Sequence, residues 1–367
     1  MQPLSTSRKI IFSLITLGIV VFVPIFMVLS YYSYKKLTLP AQHEGSYSQI
    51  DDVLGWRLKA NSTSRYWMNN KLTGEKYFDS KVFINNDGFR DSKISNLAPK
   101  NAVVAIGDSW TFGYAVDYKE SFPAHLEILL NKPVVNMGVP AYGSAQAILL
   151  FEQYINSIKP KIVIHLNHGL WNRSLCHGEK RPIYILKPCF WLNPNVNEIE
   201  LISPAKGYVK EMAEKGVYPG GWLTAGNNTW SYYLISRPVA RLKQLMAVIG
   251  LIPGHQSEYD KDPYLKPLVM TYTLKRISDL ADNYNFKFIL IDPPGDYAEA
   301  FERLTLNDNK KNVYYFSSDQ WDKYVENPVK KLLPNDRRVP KDGHYGTGMN
   351  KIIAEAIQKY LVENINL

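Results

Sequence analysis

The chain has 367 residues, 46% of them apolar, which suits one large domain with an insertion and excludes disorder as its default state. A net charge of +9 raises the question of an anionic partner, but the lysines and arginines are spread along the whole length. With no zinc-finger spacing and no RNA-binding aromatic motif, a solvated basic surface follows and a nucleic-acid partner does not.

Ile10 to Ser30 is a run of 21 uncharged residues, preceded by Arg8 and Lys9 and followed by Tyr31, Tyr32 and Tyr34. At ~1.5 Å per residue it matches a hydrocarbon core ~30 Å thick. A cleavable signal peptide is the rival reading, but its shorter apolar region of ~7–15 residues and small-residue cleavage site are missing. Residues 1–9 are therefore expected to be a cytoplasmic tail and residues 10–32 an uncleaved signal anchor that joins the chain to the membrane. The tyrosines would lie at the interface. Lys35 and Lys36 balance Arg8 and Lys9, so charge barely discriminates between orientations. Cys176 and Cys189 are separated by a Pro-containing segment able to fold back, so one disulfide and two unrelated thiols both stay open. Together these features favour a single-pass protein whose body lies outside the cytoplasmic membrane, on the periplasmic side where the cell has one.

Lys35 to about Pro99 is polar and turn-rich, with one strand-like run, Lys81 to Ile84, that ends in the turn signal Asn85-Asn86-Asp87-Gly88. Residues 33–99 thus read as a stalk plus an N-terminal appendage. From Asn101 short apolar runs alternate with helical stretches. Strands are predicted at Val103–Ile106, Val134–Asn136, Ile162–Leu166, Phe286–Ile291 and Val313–Phe316. Helices are predicted at Glu120–Leu130, Ala145–Ser157, Pro267–Tyr284 and Met349–Leu361, with Pro267 at a first helical position. Continuous apolar strands separated by helices imply an α/β domain over residues 100–367, a doubly wound parallel sheet covered on both faces. Between about 173 and 266 the alternation lapses, with Trp191, Trp222, Trp230 and a helical run from about Pro238 to Val248. So long a connection reads as an insertion, either a lid or substrate wall or a structural cap.

In such a sheet, reactive groups gather at the carboxyl ends of the strands. Gly107-Asp108-Ser109-Trp110-Thr111-Phe112-Gly113 follows the first strand directly. A serine held in a turn there has an exposed hydroxyl and an amide free to stabilise an oxyanion. The pattern departs from the full Gly-x-Ser-x-Gly elbow of α/β-hydrolases, so a different turn geometry is expected. Near neutral pH a hydroxyl needs a base, in practice a histidine oriented by a carboxylate. Of the seven histidines, only His344 has an aspartate two residues earlier in a Gly-containing loop that opens a terminal helix, Asp342-Gly343-His344-Tyr345-Gly346. His165 and His168 also lie at a strand end but lack an adjacent carboxylate, and read as pocket wall or structural residues. No His or Cys pair has ligand spacing with a third donor, and no nucleotide-binding glycine loop is present, so no metal or cofactor is expected.

These residues resemble the SGNH or GDSL hydrolases, a family named for a Ser, Gly, Asn and His in four blocks. The resemblance implies a flavodoxin-like fold and assigns Ser109 as nucleophile and first oxyanion donor. The run Val135-Asn136-Met137-Gly138-Val139-Pro140-Ala141-Tyr142-Gly143 is similar to the second block, with Ala141 where the family usually has glycine, so Ala141 and Gly143 are both candidate amide donors. For the third block, Asn172 stands three after Gly169 and is taken as the side-chain donor, with Asn167 as the alternative. Asp342-Gly343-His344 is similar to the last block. Upstream, Leu54-Gly55-Trp56-Arg57 and Ile84 to Asp91 resemble the appendage of a poorly characterised subgroup. What the resemblance implies is a serine esterase acting on an acylated envelope glycan, a lipid or a small ester. The same residues would serve an O-acetyltransferase, and a non-catalytic envelope binding protein is the reading from a different class.

Overall fold

The structure is a computed structural model, and it describes residues 6–38, 41–70, 73–90, 101–167, 172–176, 184–217, 265–292, 297–308, 312–317, 320–325 and 329–365. The chain divides into two compact units. The first comprises Met1–Ala41, Met68–Lys76 and Ala225–Ser257, and the second Gln42–Trp67, Tyr77–Thr224 and Glu258–Leu367. In the first unit Thr6–Thr38 is one helix with Pro24 inside it. Its segment Thr6–Tyr31 has a mean hydropathy of 2.8, is not buried, and is long and apolar enough to cross a bilayer.

Five short strands follow: β1 (Ala41–Glu44), β2 (Ser48–Asp51), β3 (Gly55–Leu58), β4 (Ser62–Asn69) and β5 (Lys76–Ile84). β1, β4 and β5 make one sheet in the order β1-β4-β5, and β2 pairs antiparallel with β3. Only the end of β5 was predicted. In β4 exposure alternates, but its inward positions begin with Ser62 and Ser64, whose hydroxyls donate to Lys59 O and Glu44 O. A strand whose buried face starts with serines carries a weak hydrophobic alternation. This region sends Tyr47, Leu54, Trp56, Leu58, Val82, Ile84 and Phe89 into the main apolar core.

The central sheet contains β6 (Val103–Gly107), β7 (Val134–Gly138), β8 (Ile162–Leu166), β11 (Lys287–Asp292) and β12 (Val313–Ser317), with β9 (Cys189–Asn193) and β10 (Glu198–Ile202) forming a separate antiparallel hairpin. The central order is β12-β11-β8-β6-β7, all pairs parallel, which is the flavodoxin-like winding with its reversal between β6 and β8. Alternate strand residues serve opposite faces. Val104, Ile106, Met137 and Leu290 meet helices Ser144–Ile158 and Leu265–Tyr284. Val103, Ala105, Ile164 and Ile289 meet helices Phe122–Leu130 and Thr347–Ile365.

The predicted boundaries move by a few residues. Ser121, in extended backbone, separates a 3₁₀ turn, Tyr118–Glu120, from the helix that begins at Phe122, because Pro123 suits only a first turn. Pro267 is the third described residue of the helix Leu265–Tyr284. Within the insertion, β9, β10 and helix Tyr208–Glu214 are elements the apolar pattern did not reveal. Trp222, Trp230 and the run from Pro238 to Val248 lie outside the described residues. Cys176 and Cys189 are joined as a disulfide.

One buried cation locks the appendage to the central sheet. Arg90, fully buried, donates to the carbonyls of Phe112, Gly113 and Val116 at 2.7, 2.5 and 2.6 Å and to that of Lys81 at 3.3 Å. Its guanidinium also lies 4.5 Å from the centre of the Phe112 ring. Arg90→Met, which takes the guanidinium away from all four carbonyls, is expected to cost about 3 kcal/mol, and Arg90→Lys to recover little because an ammonium lacks the planar fork. Thermal melting of the full chain measures both.

Candidate functional site

Strand register builds the site's floor. Gly107 at the end of β6 sits opposite Gly138 of β7 and Leu166 of β8, so the three following loops leave the sheet at one level. Gly107 has φ +151, and a Cβ there would strike the Thr111 side chain at 2.3 Å. A Cβ on Gly138 would meet Phe112 N at 2.3 Å. Both glycines are thus required by close approach to the turn that carries Ser109.

Ser109 begins a one-turn helix, Ser109–Phe112. Asp108 caps it by accepting from Trp110 N at 3.0 Å, and its other oxygen accepts from Arg173 Nη1 at 2.9 Å. Burial pushes the Asp108 carboxyl up to about 6, against the opposing pull of the Trp110 amide and the Arg173 charge.

The loop after Val339 brings the other two residues over this edge. His344 Nε2 lies 2.8 Å from Ser109 Oγ, and His344 Nδ1 lies 2.5 Å from Asp342 Oδ1. An ionised carboxylate is only an acceptor, so it keeps the ring proton on Nδ1 and leaves Nε2 free to accept from the serine hydroxyl. Asp342 Oδ1 also accepts from the His344 amide at 3.3 Å, and Oδ2 from Tyr66 Oη at 3.0 Å. Val339 N donates back to His344 O at 2.8 Å, and Arg338 Nη1 to Gly343 O at 2.9 Å. Asn350, buried on the terminal helix, donates to the carbonyls of Tyr345 and Gly346 and accepts from Phe122 N, so the loop is tied to two helices. Aromatic rings surround the imidazole, with Trp110 at 4.9 Å and Tyr114 at 5.0 Å between centroids.

Among the described residues, neither the Ser109 amide nor the Ala141 amide donates to a protein acceptor. Ala141 has φ +66, the left-handed conformation that a glycine adopts more readily. Gly143 differs: its N–H donates to Gln146 Oε1 at 3.2 Å. A Cβ on Gly143 would meet Ser174 Oγ at 2.5 Å, so the turn Asn172–Ser174 is packed directly on this loop. The Asn172 side chain itself lies outside the described residues. Asn167 is fully buried, with Nδ2 3.4 Å from Asp292 Oδ1. His165 is buried within β8, its ring 6.4 Å from Phe288 and its titration pushed down to about 4 by burial, while His168 lies outside the described residues.

Several contributors act through partners far away in the sequence. Trp56 Nε1 donates to Pro140 O at 3.2 Å, Tyr142 Oη donates to Trp56 O at 2.6 Å, and Gln146 Nε2 donates to Leu54 O at 2.8 Å. The Leu54-Gly55-Trp56 motif therefore clamps the loop bearing Ala141. Only its resemblance to a known appendage had marked it out.

No family model and no curated protein matches the chain. Among solved structures it is similar to a protein described as lipolytic and of the G-D-S-L family from Desulfitobacterium hafniense, at 14% identity and a TM-score of 0.31, over 71% of this chain and 99% of that one. It is also similar to a family 3 carbohydrate esterase from Clostridium thermocellum, at 10% identity and a TM-score of 0.31, over 73% of this chain and 98% of that one. A third is a carbohydrate esterase family 2 enzyme with a carbohydrate binding domain from Corynascus thermopiles, at 10% identity and a TM-score of 0.35, over 83% of this chain and 77% of that one. Likenesses this distant assign nothing by themselves, and function has to be argued from the side chains.

Two consequences are measurable. Because Asp108 titrates near 6 when folded and about two units lower when unfolded, its contribution to stability is fully present below the unfolded value and is lost as pH rises through the folded one. Denaturation at pH 4 and pH 7 should therefore show the parent chain gaining roughly 2 kcal/mol relative to Asp108→Asn at the lower pH. Ala141→Gly, which relieves the left-handed backbone but loosens the unfolded chain, is expected to change stability by no more than about 1 kcal/mol, whereas Ala141→Val should lower it clearly.

Proposed function

We propose that this chain is a serine ester hydrolase of the SGNH type, held at a membrane by its N-terminal helix with its body outside the cytoplasm. The observation that carries the reading is the chain of contacts Ser109 to His344 to Asp342, at 2.8 and 2.5 Å, on the carboxyl edge of a doubly wound sheet. His344 takes the proton from Ser109 as its oxygen attacks the ester carbonyl. The imidazolium then gives that proton to the leaving alcohol, which departs as the acyl-enzyme forms. Water, deprotonated by His344, attacks the acyl carbon, and the carboxylic acid leaves as Ser109 regains its proton.

The oxyanion would be held by the amides of Ser109 and Ala141 and by the Asn172 side chain, each donor worth about 3 kcal/mol in the transition state. Ala141 is preferred to Gly143 because the Gly143 N–H already has the Gln146 acceptor. Asn172 is preferred to Asn167, which is fully buried and has its Nδ2 beside Asp292 Oδ1 at 3.4 Å. An acetyl ester on a cell-envelope glycan or lipid is the substrate class that agrees with tethering by the helix Thr6–Tyr31.

The test is hydrolysis of p-nitrophenyl acetate by the full chain in detergent, followed as p-nitrophenol release. Ser109→Ala and His344→Ala should each lower kcat on the order of 10³-fold or more, and Asn172→Ala about 10²-fold. Turnover in Ser109→Ala equal to the parent's would end the proposal.

A further inference from the structure

The appendage reaches the carboxylate beneath the imidazole. Tyr66, on β4, places its hydroxyl 3.0 Å from Asp342 Oδ2, a contact between residues 276 positions apart. We propose that Tyr66 is a positioning residue of the esterase, its hydroxyl fixing the Asp342 carboxylate so that the other oxygen meets His344 Nδ1. The inference rests on the serine-esterase reading above and adds to it a member from outside the sheet.

Three observations carry it. Asp342 stands between Lys341 at φ +63 and Gly343 at φ +93, in a loop that sets its backbone but leaves its side-chain torsions to be fixed by partners. Oδ1 is taken by His344, and Tyr66 is the donor that Oδ2 has among the described residues. The Tyr66 ring is itself immobilised, stacked on His43 at 4.2 Å and packed against Phe78 at 4.8 Å and Tyr114 at 4.7 Å. A hydroxyl on a clamped ring aims at one point, and a donor so held selects one carboxylate rotamer. Burial, followed by the Asp342 charge, raises the Tyr66 phenol above its ordinary range, so it remains a proton donor wherever the enzyme works.

A purely structural tyrosine would support the packing of β4 without acting through Asp342. The two roles separate in a double-mutant cycle on the full chain in detergent, with p-nitrophenyl acetate as probe and melting temperature recorded for each variant. Tyr66→Phe keeps the ring and is expected to lower kcat roughly 10-fold at unchanged KM and unchanged melting temperature. Asp342→Asn should lower kcat further, and adding Tyr66→Phe to it should change nothing more, because two residues acting through one contact are not additive. Full kcat in Tyr66→Phe overturns the inference. So does an equal extra loss in the Asp342→Asn background, or a loss that comes with a higher KM and a lower melting temperature. Ser109→Ala separates the two levels of argument: if it is inactive while Tyr66→Phe is unimpaired, the esterase stands and the positioning role falls; if it matches the parent, both fall.

Discussion

The imidazole of His344 must make two hydrogen bonds in opposite directions at once, to Ser109, 235 positions earlier in the chain, and to Asp342, two positions earlier. The short partner is a local matter. With one residue between them, and that residue a glycine at φ +93, both side chains can be turned toward the same edge of the sheet. The long partner is a matter of fold. It requires β6, β7 and β8 to end level, the turn after β6 to stand above that edge, and the final loop to return across it from beyond β12. Asn350, by holding Tyr345, Gly346 and Phe122 together, converts the packing of two helices into a position for one ring.

The turn that carries Ser109 needs comparable support, because a helix of a single turn has almost no stability of its own. Its free groups are met from both ends. At the start Asp108 accepts the Trp110 amide, and at the finish Arg90 donates to the Phe112 and Gly113 carbonyls. An acidic group at the N-terminus and a basic one at the C-terminus is also the arrangement that the backbone dipoles favour. Both charges are buried, and neither is left alone: Asp108 has Arg173, and Arg90 has four carbonyls. Burial still leaves its mark, pushing the Asp108 carboxyl up to about 6 and the Arg90 guanidinium down to about 10.

Much of this was legible in the chain before any coordinates. Strands buried on both faces appear as unbroken apolar runs, so Val103–Ile106 and Ile162–Leu166 announce themselves, and Gly-Asp-Ser and Asp-Gly-His acquire meaning from standing at the right ends of such elements. What was not legible depends on partners far away in sequence. Nothing local distinguishes Tyr66 from the other tyrosines, and Trp56 acquires its role only by meeting Pro140. The acceptor that Gln146 offers Gly143 and the one that Asp292 offers Asn167 are likewise set by the fold. Spacing cannot encode either. β4 escaped notice because Ser62 and Ser64 occupy inward positions that a pattern of apolar residues expects to be filled by carbon.

A doubly wound sheet leaves its carboxyl edge open, and the loops there are the least supported part of the fold. In this chain the segment before the sheet supplies the missing support, and it does so once for each loop. Trp56 and Leu54 hold the loop after β7, Arg90 holds the turn after β6, and Tyr66 holds the loop of Asp342. The three contacts differ in chemistry, an indole and a backbone carbonyl, a guanidinium and a phenol, yet each reaches a loop at the same carboxyl edge of the sheet. Because Tyr47, Trp56, Val82 and Phe89 are shared with the main core, the segment cannot leave without opening that core. Positioning and stability are therefore coupled through the same residues. This explains how a site drawn from loops scattered along the chain can be held to hydrogen-bond tolerance.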